Sequence, residues 1–118
     1  MPQMDKRKKS RIDSHNLVTY LCLDRNGHEF KQGIGRTLNI SEGGILLETY
    51  TPMDPGYTVS LSVCLEEDIR DFKGKITHSK AREGGKYENG IEFLTLDEDG
   101  IRFLRQIITI FEKDEEGS

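Results

Sequence analysis

Tyr57-Thr58-Val59-Ser60-Leu61-Ser62-Val63-Cys64-Leu65 alternates without a break, with Tyr, Val, Leu, Val and Leu on one side and Thr, Ser, Ser and Cys on the other. Successive side chains of an extended chain point to opposite faces, so this stretch is a strand with one face in a core. Downstream, Phe72, Gly74, Ile76 and His78 repeat the period, Glu83-Gly84-Gly85-Lys86 has the composition of a hairpin turn, and Tyr87 through Phe93 supplies the returning strand. Upstream, Leu17-Val18-Thr19-Tyr20-Leu21-Cys22-Leu23 is rich in β-branched and aromatic residues, and the following Asp24-Arg25-Asn26-Gly27 ends in a strong hairpin signal. A second strand follows from Glu29, with Gly33 and Gly35 spaced as at a bulge or sharp bend. Ile45-Leu46-Leu47-Glu48 is a short strand with little exposure on either face, after which Pro52, Pro55 and Gly56 enforce a loop. The strand count reaches six.

The period then changes. Ile101, Leu104, Ile107, Ile108 and Phe111 recur at helical spacing, Asp97 is placed to cap the first turn, and Glu98 and Asp99 suit the positive end of the helix dipole. An amphipathic helix must bury its apolar face, and a small antiparallel sheet is the only neighbour. The helix therefore plugs an open barrel end or packs on the flank.

One domain accounts for 118 residues, a basic arm over 1–16, a barrel with its helix over 17–112 and a disordered tail over 113–118. A formal net charge of -4 gives no general attraction for polyanions, so any anion must be met by a local cluster. No run approaches the roughly 20 apolar residues of a membrane span, and the Met1-Pro2-Gln3-Met4-Asp5 start lacks the apolar segment of a secretory signal. The reading is cytoplasmic. Cys22 and Cys64 are accordingly expected to be buried thiols, since two cysteines without an extracellular address carry no disulfide framework.

Two segments remain outside this scaffold. Asn39-Ile40-Ser41-Glu42-Gly43-Gly44 lies between two strands as a tight turn, in which glycine is expected to supply positive φ and Asn and Ser to offer short polar side chains. The arm holds Lys6-Arg7-Lys8-Lys9-Ser10-Arg11, with two guanidiniums four residues apart. Arginine's planar fork of donors matches phosphate oxygens or the O6 and N7 edge of guanine, whereas an amide or hydroxyl oxygen suits guanine's N1 and N2 donors.

The order RxxxR followed by NxSxxG resembles the signature of the PilZ domain, a bacterial receptor module for cyclic di-GMP, from about Arg7 to Phe111. The resemblance implies a six-stranded antiparallel β-barrel of the split-barrel type with a C-terminal helix and no catalysis of its own. By position it implies that Arg7 and Arg11 grip guanine and phosphate, that Asn39 and Ser41 receive guanine donors, and that Gly43 and Gly44 permit a close approach of the base. Lys6 stands where the family varies with binding of one nucleotide or a stacked pair. It implies no cofactor other than the ligand, signalling by ordering of the arm, and a downstream partner protein that the sequence does not name. A homodimer is left open, and links to motility and biofilm are those of the family.

Three other classes weigh less. A PilZ-like adaptor without nucleotide, as in type IV pilus assembly, would be expected to lack the arginines that stand here. Nucleic-acid binding would rest on the arm alone, without an aromatic stacking platform, and would fade by physiological salt. For an enzyme or metal site the three histidines His15, His28 and His78 are scattered, and no HExxH, CxxC or nucleophile elbow occurs.

Overall fold

The computed structural model describes residues 17–65 and 67–116, with side chains to 113. Six strands, β1 (Leu17–Leu23), β2 (Glu29–Ile40), β3 (Gly44–Thr49), β4 (Thr58–Leu65), β5 (Asp68–Arg82) and β6 (Lys86–Phe93), precede one helix, α1 (Glu98–Glu116). They close into a barrel in the order β1-β2-β3-β6-β5-β4, every pair antiparallel. Among the described residues, closure leaves no unpaired strand edge. The barrel and its helix are thus as expected, and the helical backbone runs on to Glu116, into the stretch read from sequence as tail.

The alternation of β4 is realised: Val59, Leu61, Val63 and Leu65 are buried with Val18, Leu47, Phe72, Ile76 and Ile91 from the other strands. Cys22 points into this core, but Cys64 is exposed, because the period that sends Val63 and Leu65 inward sends the residue between them out. The expectation of two buried thiols is corrected for Cys64.

Strand directions place the start of β1, the end of β2, the start of β3 and the end of β6 at one end of the barrel, since Leu17 pairs with Arg36, Ile40 with Ile45, and Gly44 with Glu92. The chain leaves β6 at this end and enters α1, whose Phe103, Leu104, Ile107 and Phe111 are buried in the same core. Phe72 bridges strand and helix, with ring centroids 5.7 Å from Phe93 and 6.1 Å from Phe103. Burying such side chains stabilises by roughly 1.5–3 kcal/mol each, so the helix is integral to the core. Asp97 caps it as expected, its Oδ1 accepting the Gly100 N–H at 2.7 Å.

The opposite end is filled by the loop after β3. Met53 is buried, and its N–H donates to Ser79 Oγ at 3.3 Å. Ser79 in turn donates to the buried Asn89 at 2.7 Å, and Asn89 Nδ2 donates to Leu47 O at 3.0 Å and Thr49 Oγ1 at 2.8 Å. A polar network therefore fixes this loop.

Gly33 and Gly35 correct another expectation. Pairing of β1 with β2 runs regularly through both, and the register shift lies at Cys22/Leu23. The glycines are needed for packing: a Cβ at Gly33 would lie 2.7 Å from the Tyr20 hydroxyl, and one at Gly35 2.7 Å from Leu47 Cγ.

Candidate functional site

The β2–β3 turn is closed by the Ser41 N–H donating to Gly44 O at 2.9 Å, while Ser41 Oγ accepts the Gly43 N–H at 3.2 Å. Gly43 O accepts the Phe93 N–H at 2.9 Å, which fastens the turn to β6. Just before it, the β2–β3 register shifts between Thr37 and Asn39, so that Leu38 is an extra residue. The bulge leaves Thr37 and Ile40 buried and Asn39 exposed. Asn39 Oδ1 accepts the neighbouring Ile40 N–H at 2.9 Å, which orients the amide.

Across the outer face, Asn39 pairs with Leu46, Leu46 with Gly90 and Gly90 with His78, while Gly44 pairs with Glu92 and Glu92 with Lys75. These rows form a shallow concavity of about 390 Å³, with Asn39, Ser41, Gly43 and Gly44 along one side and Thr77, Gly90 and Glu92 along the other. Four positions expected from sequence are therefore brought together. Arg7, Arg11 and Lys6 lie outside the described residues, as does the arm that carries them.

The hydrogen-bonding capacity left at the turn follows from these bonds. Asn39 Oδ1 has used one lone pair, so a second lone pair and two N–H donors remain; Ser41 Oγ has accepted once and retains its own O–H. Both can meet a flat polar edge laid against the concavity.

The glycines are used differently from the sequence expectation. Neither Gly43 nor Gly44 is among the positive-φ glycines, which are Gly27, Gly56, Gly84 and Gly85. A Cβ at Gly44 would run into Ile91 O and lie 3.3 Å from Glu92 Cα, so this glycine lets β3 approach β6. Among the described residues, the only atom within 4 Å of a Cβ at Gly43, its chain neighbours aside, is Ser41 Oγ at 3.8 Å, within its own turn.

Thr77, Gly90 and Glu92 were not found from sequence. Thr77 is itself the extra residue of a bulge between Ile76 and His78, and its Oγ1 donates to Gly90 O at 3.0 Å. Gly90 admits the His78 ring, whose Nδ1 would be 2.5 Å from an added Cβ. The available signal was Gly90 itself, since a glycine inside a strand marks a bulge or a close approach.

At the tip of the turn Arg105 Nε of α1 donates to Glu42 Oε2 at 2.8 Å. The hydrogen bond from Arg105 holds the Glu42 carboxyl below its ordinary range and, reciprocally, raises the guanidinium above its own. Both groups are ionised at neutral pH. Among the described residues no cluster of three His, Cys, Asp or Glu side chains is placed to hold a metal ion, and no helix is long and apolar enough to cross a membrane.

A family model described as PilZ domain matches residues 5–109. Among solved structures, the PilZ domain of YcgR from Escherichia coli with c-di-GMP superposes with a TM-score of 0.66 at 16% identity, covering 87% of this chain and 87% of that one. The K. pneumonia MrkH–c-di-GMP complex gives 0.61 at 16% identity, covering 84% of this chain and 48% of the larger one. The PilZ domain of CeSA from a cellulose-synthesizing bacterium gives 0.57 at 12%, covering 81% and 93%. At these identities the likeness is one of fold. A search of curated proteins finds no match.

Proposed function

The chain belongs to the PilZ domain family, and we propose that it is a cytoplasmic receptor for cyclic di-GMP. In this reading one guanine lies against the concavity, with Asn39 and Ser41 meeting its N1, N2 and O6 edge and Gly43 allowing contact with the turn. Arg7 and Arg11 supply the bidentate contacts to phosphate and guanine, Lys6 bears on the number of nucleotides bound, and Gly44 holds β3 in place beneath the ligand.

The observation that carries the reading is the outward placement of Asn39 and Ser41 at the barrel end where the chain enters β1. Leu17 pairs with Arg36, five residues before Ser41. Arg11 is six residues before Leu17, and six extended residues reach at most about 20 Å, whereas five strand steps cover about 17 Å. The arginines can therefore reach the turn. Ordering of the arm about the ligand is the means of relay to a partner protein, the cost being about 2–5 kcal/mol for a segment that folds on binding.

Isothermal titration of cyclic di-GMP at physiological salt tests this, with Arg11→Ala and Ser41→Ala alongside and GMP as control. A micromolar affinity is about -8 kcal/mol, and loss of one bidentate arginine should weaken it by about tenfold to a hundredfold. Affinity absent in the unmodified chain, or unchanged in both variants, would refute the receptor reading; the former would leave an adaptor.

A further inference from the structure

We infer that Arg105 on α1 is a further ligand-binding residue, held beside the turn by Glu42 and supplying a cation to one phosphodiester of the nucleotide. The inference rests on the receptor reading and adds to it a residue outside both sequence motifs.

The Nε to Oε2 bond of 2.8 Å joins positions 63 residues apart, and Glu42 stands between Ser41 and Gly43, both of which line the concavity. The fold fixes this proximity. Leu104 and Ile107, on either side of Arg105, are buried in the barrel core, and the Phe93 N–H to Gly43 O bond ties the turn to the strand that leads into the helix. The bond to Glu42 engages Nε, one of the five N–H donors of a guanidinium. Arg105 and Glu42 side chains are 65% and 51% exposed, so the rest of the fork is within reach of a ligand.

A pair so exposed contributes little to stability. Its chemistry acquires a purpose beside an anion. Cyclic di-GMP carries two phosphodiester charges, and the ionised Glu42 next to Ser41 would repel them. Arg105 offsets that charge and presents donors of the kind that phosphate oxygens accept bidentately. The carboxylate thus positions the cation and, by itself, opposes the ligand.

This assigns opposite signs to the two partners, which a turn clamp would not. Titration of cyclic di-GMP into the unmodified chain, Glu42→Gln, Arg105→Gln and the double variant reads them, with thermal unfolding confirming that each is folded. Arg105→Gln should weaken binding about tenfold, the step of one good charged contact. Glu42→Gln, whose amide oxygen can still accept the Arg105 Nε–H but carries no charge against the phosphodiester, should bind at least as tightly as the unmodified chain, and adding it to Arg105→Gln should recover part of the loss. Equal weakening in both single variants would mean that the pair only holds the turn and would overturn the inference, as would unchanged affinity in Arg105→Gln. No binding by the unmodified chain would instead overturn the receptor reading, and this inference with it.

Discussion

Replacing Gly44 by alanine separates a packing role from a ligand role. The added Cβ would run into Ile91 O and lie 3.3 Å from Glu92 Cα, both backbone atoms of the paired strand. A side chain could rotate away, but a strand held on both sides in a closed barrel must shift as a whole. Overpacking of a well-packed site costs typically 1–3 kcal/mol, and an obstruction made of backbone belongs at the upper end, about 3 kcal/mol. At about 2.1 cal/mol/K per residue, a 118-residue domain unfolds with an entropy of about 0.25 kcal/mol/K, so the midpoint should fall by about 12 °C. Gly43→Ala is the internal control, since among the described residues its Cβ would meet nothing closer than Ser41 Oγ at 3.8 Å and its φ is not positive. It should melt within about 2 °C of the unmodified chain, while losing affinity for cyclic di-GMP if the ligand approaches that surface. Thermal unfolding followed by circular dichroism reads both. A Gly44→Ala variant that melts like the unmodified chain, or a Gly43→Ala variant that falls as far, would refute the assignment.

Asn89→Ala removes two donors and one acceptor from a fully buried network, but Ser79 keeps its bond from Met53 and Thr49 its bond to Thr51, so the loss should be about 2–4 kcal/mol in urea unfolding. Because Asn89 points inward, affinity measured where the variant is folded should be unchanged. Asp24 accepts the His28 N–H at 2.8 Å and the Asn26 N–H at 2.9 Å, and these bonds, the His28 one foremost, hold its carboxyl below the ordinary range. A lowered folded pKa means that the stabilisation is complete above the ordinary value of about 3.9 and is lost as pH falls through the folded one. The gap in urea midpoint between the unmodified chain and Asp24→Asn should therefore narrow from about pH 7 to about pH 3, and a constant gap would contradict the assignment.

The strands, the hairpin at Asn26-Gly27 and the capped helix were legible because each rests on local chemistry. Gly27 adopts φ 82° in that turn, and Asp97 has its capping partner three residues on. Packing partners were not legible. Gly33 and Gly35 read as a bend because a glycine in a strand signals either a bend or a crowded face, and Tyr20 and Leu47, which crowd them, are brought there only by closure of the barrel. Phe103 escaped the helical pattern drawn through Ile101 and Leu104, yet it is buried against Phe72. The turn of the candidate site was legible in composition, and its opposite wall on β5 and β6 was not.

That opposite wall depends on register, a property that no single strand contains. With a strict period of two, Phe72, Gly74 and Ile76 would carry His78 into the barrel, and Thr37 would carry Asn39. Each strand instead inserts one residue against its partner, Thr77 opposite β6 and Leu38 opposite β3. Ser79 then points inward to meet Asn89, His78 turns outward over Gly90, Ile40 enters the core and Asn39 faces solvent. A one-residue slip flips every later side chain to the other face. The two bulges thus lie along the concavity, with Asn39 beside one and Thr77 the extra residue of the other. With Leu38 or Thr77 held in an unbroken ladder, Asn39 or His78 would face the interior, where a polar side chain without partners is costly. Deleting either extra residue removes the bulge and leaves Asn39 or His78 facing outward. The outward facing of Asn39 and His78 thus rests on two bulges that set one residue each aside from the ladder.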